Sequence, residues 1–290
     1  MTATQTRRVA LIGWPVEHSM SPTMHNAAFA ALDLDWRYEL LPIEPDRVAT
    51  AVARLRIEGF RGANVTAPHK EAVMSYLDDL TEAAKAIGAV NTIEVRGARL
   101  IGHNTDADGS VAALLHARFR VRGVRAAVVG AGGGARAAVF GLLQDGAKEV
   151  WLLNRSARRA EALAHDLDCR DGGPPRLRVL LLTVETLLES ARAADLLIHT
   201  TPVGMWPHSS ASIWPDAVPL PAHLAVFDLI YNPPETRLLR QARESGAQAI
   251  GGLEMLVHQG VLAFQIWTGR TAPVAVMREA AERALAALGA

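Results

Sequence analysis

The sequence has little of several features that mark specialised protein classes. It contains one cysteine, Cys169, in 290 residues, so it can form neither an internal disulfide nor a cysteine-based zinc cluster. No uninterrupted apolar stretch approaches the roughly 18 residues that a membrane-spanning helix needs. The apolar run after the first arginines is also shorter than a signal-peptide core. These absences predict a cytoplasmic protein with no membrane segment.

An excess of charge of one sign is also missing. Lys+Arg and Asp+Glu number 30 each, so the formal net charge is zero. Proteins that bind nucleic acid or an anionic membrane surface usually carry an excess of Lys and Arg, so neither partner is expected. The 50% share of hydrophobic residues excludes a disordered chain. We expect a globular protein, and the sequence allows a homodimer.

Short apolar segments alternate with helical patterns along the chain. The clearest predicted strands are Val9–Pro15, Trp36–Ile43, Ala63–Val65, Ala126–Val129, Glu149–Leu153, Leu196–His199 and Ala225–Ile230. Such alternation is typical of βαβ units with a mostly parallel sheet. It predicts two α/β lobes with a hinge near Asp106–Gly109 and a closing helical segment that returns to the first lobe. Ser21 is predicted to be a helix N-cap, with Pro22 at the first helical position.

A glycine-rich segment, Gly130–Ala135, follows one predicted strand and precedes a predicted helix. Its sequence, GAGGGA, is the G-x-G-x-x-A form of the dinucleotide fingerprint. In that fingerprint the glycines let the backbone approach a pyrophosphate at the helix N-terminus. A plain tight turn is the alternative. Because the next predicted strand ends where a ribose-recognition residue belongs, the context favours dinucleotide binding.

The end of that next strand selects between the two nicotinamide cofactors. NAD-binding folds usually place Asp or Glu there, whereas this chain has Asn154, Arg155 and Ser156, followed by Arg159. A carboxylate would repel a 2′-phosphate, and an arginine can bind it with two hydrogen bonds. A solvated basic helix start is the alternative, but the helix dipole disfavours cations at that end. The pattern favours NADP over NAD.

Four polar clusters lie at predicted strand ends in the first lobe: His18–Ser21, Asn64–Lys70, Ala89–Thr92 and His103–Asp106. In open α/β sheets, ligands bind outside the carboxyl ends of the strands, so these clusters could converge on one small polar molecule. Each cluster also has a plain structural explanation, such as a helix cap or a loop turn. For Lys70 a functional role would be favoured over such an explanation only if its side chain faced Asp106, and the sequence does not show whether it does.

In their order along the chain, these segments resemble the shikimate dehydrogenase family. The matching segments span nearly the whole sequence and are Gly13–Asn26, Gly62–Lys70, Gly88–Thr92, Gly102–Asp106, Gly130–Arg136, Asn154–Ser156, Thr200–Met205, Asp228–Pro233 and Met255–Gln259. One position departs from the pattern, because His199 stands where the family often has Asn. The proline-rich segment Pro207–Pro221 is also longer than the pattern requires, and it is predicted to be a surface excursion.

The resemblance implies a fold and a reaction. The fold is α/β and two-lobed: an N-terminal substrate-binding domain of residues 1–106 with 253–290, and a Rossmann-type NADP-binding domain of residues 107–252. The C-terminal helices return to the first lobe. The reaction is the reversible, NADP-dependent reduction of 3-dehydroshikimate to shikimate by hydride transfer, on the pathway to chorismate and the aromatic amino acids.

The resemblance also implies the residues that carry the reaction. Lys70 and Asp106 form the catalytic pair and also bind substrate. The other implied substrate-binding residues are Ser19, Ser21, Thr66, Asn91, Tyr231 and Gln259. The implied cofactor-binding residues are Gly130, Ala131, Gly132, Gly133, Gly134, Asn154, Arg155, Ser156 and Arg159, with Leu229 and Gly252 near the nicotinamide. Because the ten histidines include no His-x-x-x-His or His-Glu-x-x-His spacing, no metal is expected.

Two other functions stay open. A quinate/shikimate dehydrogenase would accept a substrate with an extra tertiary hydroxyl beside the carboxylate, and residues near Ser19 and Ser21 would decide. Both serines are present, which favours shikimate. A non-catalytic, ligand-sensing relative would bind cofactor to regulate a partner. Because a sensor does not need a proton-transfer pair, Lys70 and Asp106 argue against it.

Overall fold

The computed structural model describes residues 6–168 and 176–288. The chain divides into two compact units, Met1–Thr105 with Val257–Ala290 (unit 1) and Asp106–Leu256 (unit 2). Cys169 and most of the predicted loop around it lie outside the described residues. Among the helices of the described residues, none combines the length and the apolar content that a membrane span requires.

Unit 1 contains a mixed six-stranded sheet with the strand order β2-β1-β3-β5-β6-β4. Its strands are β1 (Arg7–Gly13), β2 (Trp36–Pro42), β3 (Phe60–Val65), β4 (Asp79–Leu80), β5 (Thr92–Arg96) and β6 (Arg99–His103). Its helices include α1 (Ser21–Ala31), α2 (Val48–Ile57) and α3 (Glu82–Ile87). β1 pairs in parallel with β2 and β3, whereas β5 runs antiparallel to both of its neighbours. The interior strand β1 is buried over most of its length, as parallel strands covered on both faces are.

The start of α1 differs from the prediction. The N-cap residue is Met20, Ser21 is the first helical residue, and no side chain caps this end. The predicted N-cap role of Ser21 is therefore wrong. Instead, the Ser19 hydroxyl oxygen accepts a hydrogen bond from the Ser21 backbone N–H at 3.2 Å. The Ser21 hydroxyl is thus not used to cap the helix.

The last two helices, α9 (Leu253–Thr268) and α10 (Val274–Leu288), complete unit 1. α10 packs against α1. On α9, Trp267 is buried and donates a hydrogen bond from its indole nitrogen to the Ile93 carbonyl at 3.0 Å. The predicted return of the C-terminal helices to the first lobe is confirmed, and so is the assignment of Trp267 to the core.

Unit 2 contains a fully parallel six-stranded sheet with the order β12-β11-β10-β7-β8-β9. Its strands are β7 (Arg125–Val129), β8 (Glu149–Asn154), β9 (Leu177–Leu181), β10 (Leu196–His199), β11 (Ala225–Asp228) and β12 (Gln248–Ile250). Its helices are α4 (Asp106–His116), α5 (Gly133–Gln144), α6 (Ala157–Asp168), α7 (Val184–Ala193) and α8 (Arg237–Glu244), with the first turn of α9. Counted from β7, this is the 3-2-1-4-5-6 order of dinucleotide-binding sheets, and it reverses between β7 and β10.

The α/β class with a Rossmann-type second lobe is confirmed, while several local features differ from the prediction. The end of the predicted loop after Cys169 belongs to β9, and the predicted hinge Asp106–Gly109 forms the first turn of α4. The proline-rich segment contains neither helix nor strand. It is more than a surface excursion, because Trp214 is buried in a hydrophobic cluster of unit 2.

A buried histidine occupies the aromatic core of unit 1. His25 stacks on Tyr38, with ring centroids 4.7 Å apart, and also contacts Phe29, Phe264 and Trp267. Neither of its ring nitrogens has a hydrogen-bond partner among the described residues. Burial lowers the pKa of His25 from its ordinary 6.5 to about 3, because a charged imidazole would lose its hydration there.

We expect this histidine to make unit 1 acid-sensitive. Between pH 6.5 and 3 the unfolded chain binds a proton that the folded chain does not, so stability falls as the pH falls. The slope from this group is about 1.4 kcal/mol per pH unit. His25→Phe should remove that slope in chemical unfolding measured from pH 7 to pH 4.

The matched control is Trp267→Phe, which disturbs the same aromatic cluster without removing a titratable group. Its effect on the free energy of unfolding should be the same at each pH. A His25→Phe variant that keeps the wild-type pH slope would contradict the assignment.

Candidate active site

The predicted substrate residues of unit 1 lie around one edge of its sheet. β1 and β3 run parallel, so Ser19 and Thr66 both follow carboxyl ends at this edge. β5 runs antiparallel to β3, which brings Asn91, directly before β5, to the same edge. β6 reverses direction again, so Thr105 lies there too, just beyond its end. The polar clusters therefore meet because of strand direction.

The side-chain amide of Asn91 is the centre of a buried hydrogen-bond network. Its Nδ2 donates to Thr105 Oγ1 at 2.8 Å and to Gln259 Oε1 at 3.5 Å. Its Oδ1 accepts from the Thr105 backbone N–H at 2.7 Å and from the Thr92 hydroxyl at 3.2 Å. These bonds join the start of β5, the segment after β6 and helix α9. The structure thus brings the predicted residues Asn91 and Gln259 together.

Asn64, which the sequence argument places in a polar cluster but not among the site residues, extends this network. It is buried at the end of β3, and its Nδ2 donates to Thr92 Oγ1 at 3.0 Å. Its Oδ1 accepts from the Tyr38 hydroxyl at 2.8 Å. Thr105 is likewise absent from the predicted set. The sequence feature that points to Asn64 is a polar residue in an otherwise apolar strand. A polar side chain is usually buried only when it is hydrogen-bonded.

The remaining predicted residues of unit 1 lie in the loops after β1 and β3. The end of β1 lies so close to the second loop that a Cβ on Gly13 would overlap the Thr66 methyl group. The Thr66 N–H donates to the Ile12 carbonyl at 2.8 Å, and the Lys70 carbonyl accepts from the Val90 N–H at 2.8 Å. The Trp14 N–H, in the loop after β1, donates to the Ala67 carbonyl at 3.1 Å. Both loops are therefore fixed by backbone hydrogen bonds, and Lys70 is half-buried.

Two predicted residues, Asp106 and Tyr231, belong to unit 2. Asp106 is 4% exposed and opens α4, where its backbone carbonyl accepts from the Ser110 hydroxyl at 2.8 Å. Tyr231 is half-buried and follows β11.

The glycine fingerprint forms the turn between β7 and α5. Gly130 has φ +120°, and a Cβ there would overlap the Thr200 hydroxyl. Gly132 is the N-cap of α5, and a Cβ on Gly132 or Gly134 would meet nothing within 4 Å. Gly130 is thus required by the turn itself, whereas open space surrounds the helix N-terminus. With Ala131 and Gly133 the segment offers a backbone cradle of the shape that a pyrophosphate needs.

The end of β8 has the basic character that the sequence predicts. Asn154 Nδ2 donates to the Ser156 carbonyl at 2.9 Å, which fixes the turn into α6. Arg155 and Arg159 are exposed, and neither makes an ion pair within residues 6–168 and 176–288. Two guanidinium groups of this kind at a helix start suit a bound phosphate. Together with the glycine cradle, these residues fit NADP.

The ends of β10 and β11 complete the same edge of the unit 2 sheet. A Cβ on Gly252 would overlap the Leu229 carbonyl oxygen, so the structure brings these two predicted cofactor residues together. His199 and Asp228 end adjacent strands and are both buried. His199 Nδ1 lies 3.0 Å from Asp228 Oδ1, an interaction that the sequence argument does not foresee.

Family models match three parts of this chain. The model described as "Shikimate dehydrogenase substrate binding domain" matches residues 11–93. That of "Shikimate / quinate 5-dehydrogenase" matches residues 113–208. That of "Shikimate 5'-dehydrogenase C-terminal domain" matches residues 252–282.

Individual relatives agree with these matches. A curated shikimate dehydrogenase (NADP(+)) of Symbiobacterium thermophilum is 47% identical, covering 96% of this chain and 95% of its own length. A crystal structure of a shikimate dehydrogenase in complex with NADP+ has a TM-score of 0.90 and 37% identity, covering 98% of each chain. That of the Thermus thermophilus enzyme, with NADP(H) and shikimate, has a TM-score of 0.85 and 40% identity, covering 96% of this chain and 100% of that one. This chain belongs to the shikimate dehydrogenase family.

Proposed function

We propose that this chain catalyses the reversible reduction of 3-dehydroshikimate to shikimate with NADPH, in the pathway to chorismate and the aromatic amino acids. The observation that carries the proposal is the 47% identity over 96% of the chain with an NADP-dependent shikimate dehydrogenase. The basic, carboxylate-free end of β8 supports the choice of NADP.

The proposed chemistry divides into a hydride transfer and a proton transfer. NADPH, when bound, supplies the hydride for the carbonyl carbon of the substrate. In the reductive direction the carbonyl oxygen gains negative charge and needs a proton, which we assign to the ammonium group of Lys70. In the oxidative direction the neutral amine takes that proton back. Asp106 has the role of orienting the ammonium group and binding a substrate hydroxyl.

The proposed substrate recognition uses neutral donors. The hydroxyls of Ser19 and Ser21 would hold the substrate carboxylate through charge-assisted hydrogen bonds. Support comes from α1, which makes no capping bond with the Ser21 hydroxyl. Thr66, Asn91, Gln259 and Tyr231 are assigned to the ring hydroxyls. We assign substrate binding to residues 1–106 with 253–290 and NADP binding to residues 107–252.

The cofactor assignment follows the edge of the unit 2 sheet. The backbone N–H groups from Ala131 to Gly134 receive the pyrophosphate, while Gly130, whose own N–H donates to the Leu153 carbonyl at 2.9 Å, forms the turn beside it. The segment Asn154–Ser156 with Arg159 receives the 2′-phosphate. Leu229 and Gly252 are placed beside the nicotinamide. The half-buried Leu229 and buried Gly252 lie against each other through the Leu229 backbone carbonyl, which supports a close backbone contact there.

A spectrophotometric assay of NADPH formation with shikimate and with quinate tests the function. The proposal expects turnover with shikimate and far less with quinate. Equal rates would favour the quinate/shikimate alternative, and cofactor binding without turnover would favour a sensor. A cytoplasmic location and a homodimer stay predictions, for which cell fractionation and light scattering are the tests.

Lys70→Ala should lower kcat by about 10²–10⁴-fold, the usual loss when a general acid is removed. KM for shikimate should change much less, because the proposed charge acts mainly in the transition state. Steady-state kinetics with both substrates varied give the two constants. Lys85→Ala, which removes an exposed lysine of the same unit, is the matched control and should leave both unchanged. A folded Lys70→Ala enzyme with near-normal kcat would remove Lys70 from the mechanism.

Alanine substitutions at Gly130 and Gly132 should have different effects, one on stability and the other on NADP affinity. Gly130→Ala introduces a Cβ that overlaps Thr200 at φ +120°, so thermal unfolding should show a loss of about 1–3 kcal/mol. Gly132→Ala has open space around its Cβ, so the stability of the ligand-free protein should match that of the wild type. Its affinity for NADP, measured by calorimetry, should still fall at least about tenfold, because the pyrophosphate needs close backbone approach there. Identical behaviour of the two variants would contradict this division.

Arg155→Ala should reduce kcat/KM with NADP by about tenfold to a hundredfold and leave kcat/KM with NAD nearly unchanged. The loss corresponds to a hydrogen-bonded charge pair of about 1.5–3 kcal/mol. Adding Asn154→Asp should move the preference further toward NAD by repelling the phosphate. The control is Arg192→Ala. Arg192 is a cation at the carboxyl end of α7, directly before the amino end of β10, so it lies at the opposite edge of the sheet from the proposed cofactor site. Equal wild-type efficiency with both cofactors would overturn the assignment.

A further inference from the structure

A buried polar chain crosses the carboxyl ends of β10 and β11. His199 is 1% exposed and Asp228 is 0% exposed. His199 Nδ1 lies 3.0 Å from Asp228 Oδ1, and its Nε2 lies 2.6 Å from Thr201 Oγ1. A buried imidazole with a partner on each nitrogen has a fixed ring orientation.

The partners of Asp228 determine the direction of these hydrogen bonds. The carboxylate accepts from the Ile230 N–H at 3.1 Å and from the Thr236 hydroxyl at 2.6 Å. Because an ionised carboxylate only accepts, His199 Nδ1 carries the hydrogen that points to it. In the neutral imidazole Nε2 is then the acceptor, so the Thr201 hydroxyl donates to His199.

The other side of Thr201 faces the glycine fingerprint. A Cβ on Gly130 would lie 3.2 Å from the Thr201 methyl carbon. The neighbouring Thr200 is joined to β7 by hydrogen bonds of its N–H and hydroxyl to the Val129 carbonyl, at 3.0 and 2.8 Å. These contacts lie where the strand order of the sheet reverses, which is the cofactor position in such sheets.

Thr201 therefore connects His199 to the fingerprint. Threonine is branched at Cβ, so a fixed hydroxyl also fixes the methyl group. With the hydroxyl held by His199, the methyl group packs beside Gly130. Loss of the hydroxyl contact would let Thr201 rotate and would remove one of the two threonines that pack beside the glycine turn.

We propose that His199 is a positioning residue for NADP, which acts through the Thr201 hydroxyl to hold the Gly130 turn in its binding geometry. The inference rests on the proposed function, because it takes the fingerprint to be the NADP site. His199 touches neither the substrate nor the reacting atoms in this role. It sets cofactor affinity and not the rate of the chemical step.

The test is a double-mutant cycle with Thr201→Val and His199→Asn. Valine keeps the shape of threonine and removes the hydroxyl. The asparagine amide occupies the place of the imidazole Nδ1 and can still donate to Asp228, but it has no counterpart of Nε2. NADP and shikimate affinities are measured by calorimetry for the wild type, both single variants and the double variant, together with thermal unfolding of the ligand-free proteins.

Each single variant should weaken NADP binding by about twofold to tenfold, the effect of one hydrogen bond. The double variant should bind NADP no more weakly than whichever single variant has the lower NADP affinity, because both changes break the same hydrogen bond. Shikimate affinity and kcat at saturating NADP should stay within about twofold. Thr268→Val removes a hydroxyl that donates to the Phe264 carbonyl in unit 1, and this control should leave NADP affinity unchanged.

Several results would overturn the inference. Multiplied losses in the double variant would mean that the two residues act independently. Lower thermal stability with unchanged NADP affinity would mean a purely structural role. If His199→Asn does not fold, unchanged NADP affinity in Thr201→Val alone is sufficient to reject the proposal. A wild-type protein that binds no NADP would instead overturn the proposed function, so the two failures are distinguishable.

Discussion

The hydrogen bond from the Thr105 backbone N–H to Asn91 Oδ1, at 2.7 Å, fixes the polar edge of unit 1. It joins the residue before β5 to the segment after β6, and the same amide then reaches Gln259 on α9. Because Asn91 is 2% exposed, any broken member of this set would leave a buried polar group without a partner. That penalty is about 1–3 kcal/mol for each group, which makes the arrangement rigid.

Unit 2 depends on a different constraint, the close approach of β7 and β10. The glycine turn after β7 lies against Thr200, and no larger residue fits at Gly130. The same contact aligns the N-terminus of α5 with the ends of β8, β10 and β11, where the predicted cofactor residues lie. The two units thus reach preorganisation by different routes: side-chain amides in one and backbone packing in the other.

The sequence predicts a contiguous motif well, although two helix starts, which are also local, are missed or misplaced. The strand, glycine turn and helix around Gly130 are contiguous, so a short sequence pattern predicts them. The structure confirms that order. By contrast, α7 begins with a capping box in which Thr186 takes the place of the usual Glu or Gln, and the prediction passes over it. Ser21 resembles an N-cap by type, but the helix begins one residue earlier than that role requires.

Side-chain partners are harder to predict because they lie far apart in the sequence and become neighbours only through the fold. His199 and Asp228 are 29 residues apart, and only the pairing of β10 with β11 makes them neighbours. The same holds for Asn64 and Thr105, whose roles depend on strand direction. Motif matching therefore selects candidate ligand-binding residues by their type, and it misses the residues that hold them in place.

Hydrogen bonding also limits what the proposed substrate residues can discriminate. A site that hydrogen-bonds a substrate hydroxyl rejects an analogue without that hydroxyl, because a buried polar group of the site is left unpaired. It rejects an analogue with one more hydroxyl only weakly, since no site group loses its partner. Quinate differs from shikimate in that second way. On the proposed assignment, discrimination against quinate would therefore depend on the space and donors around Ser19 and Ser21, where the carboxylate and the extra hydroxyl would compete.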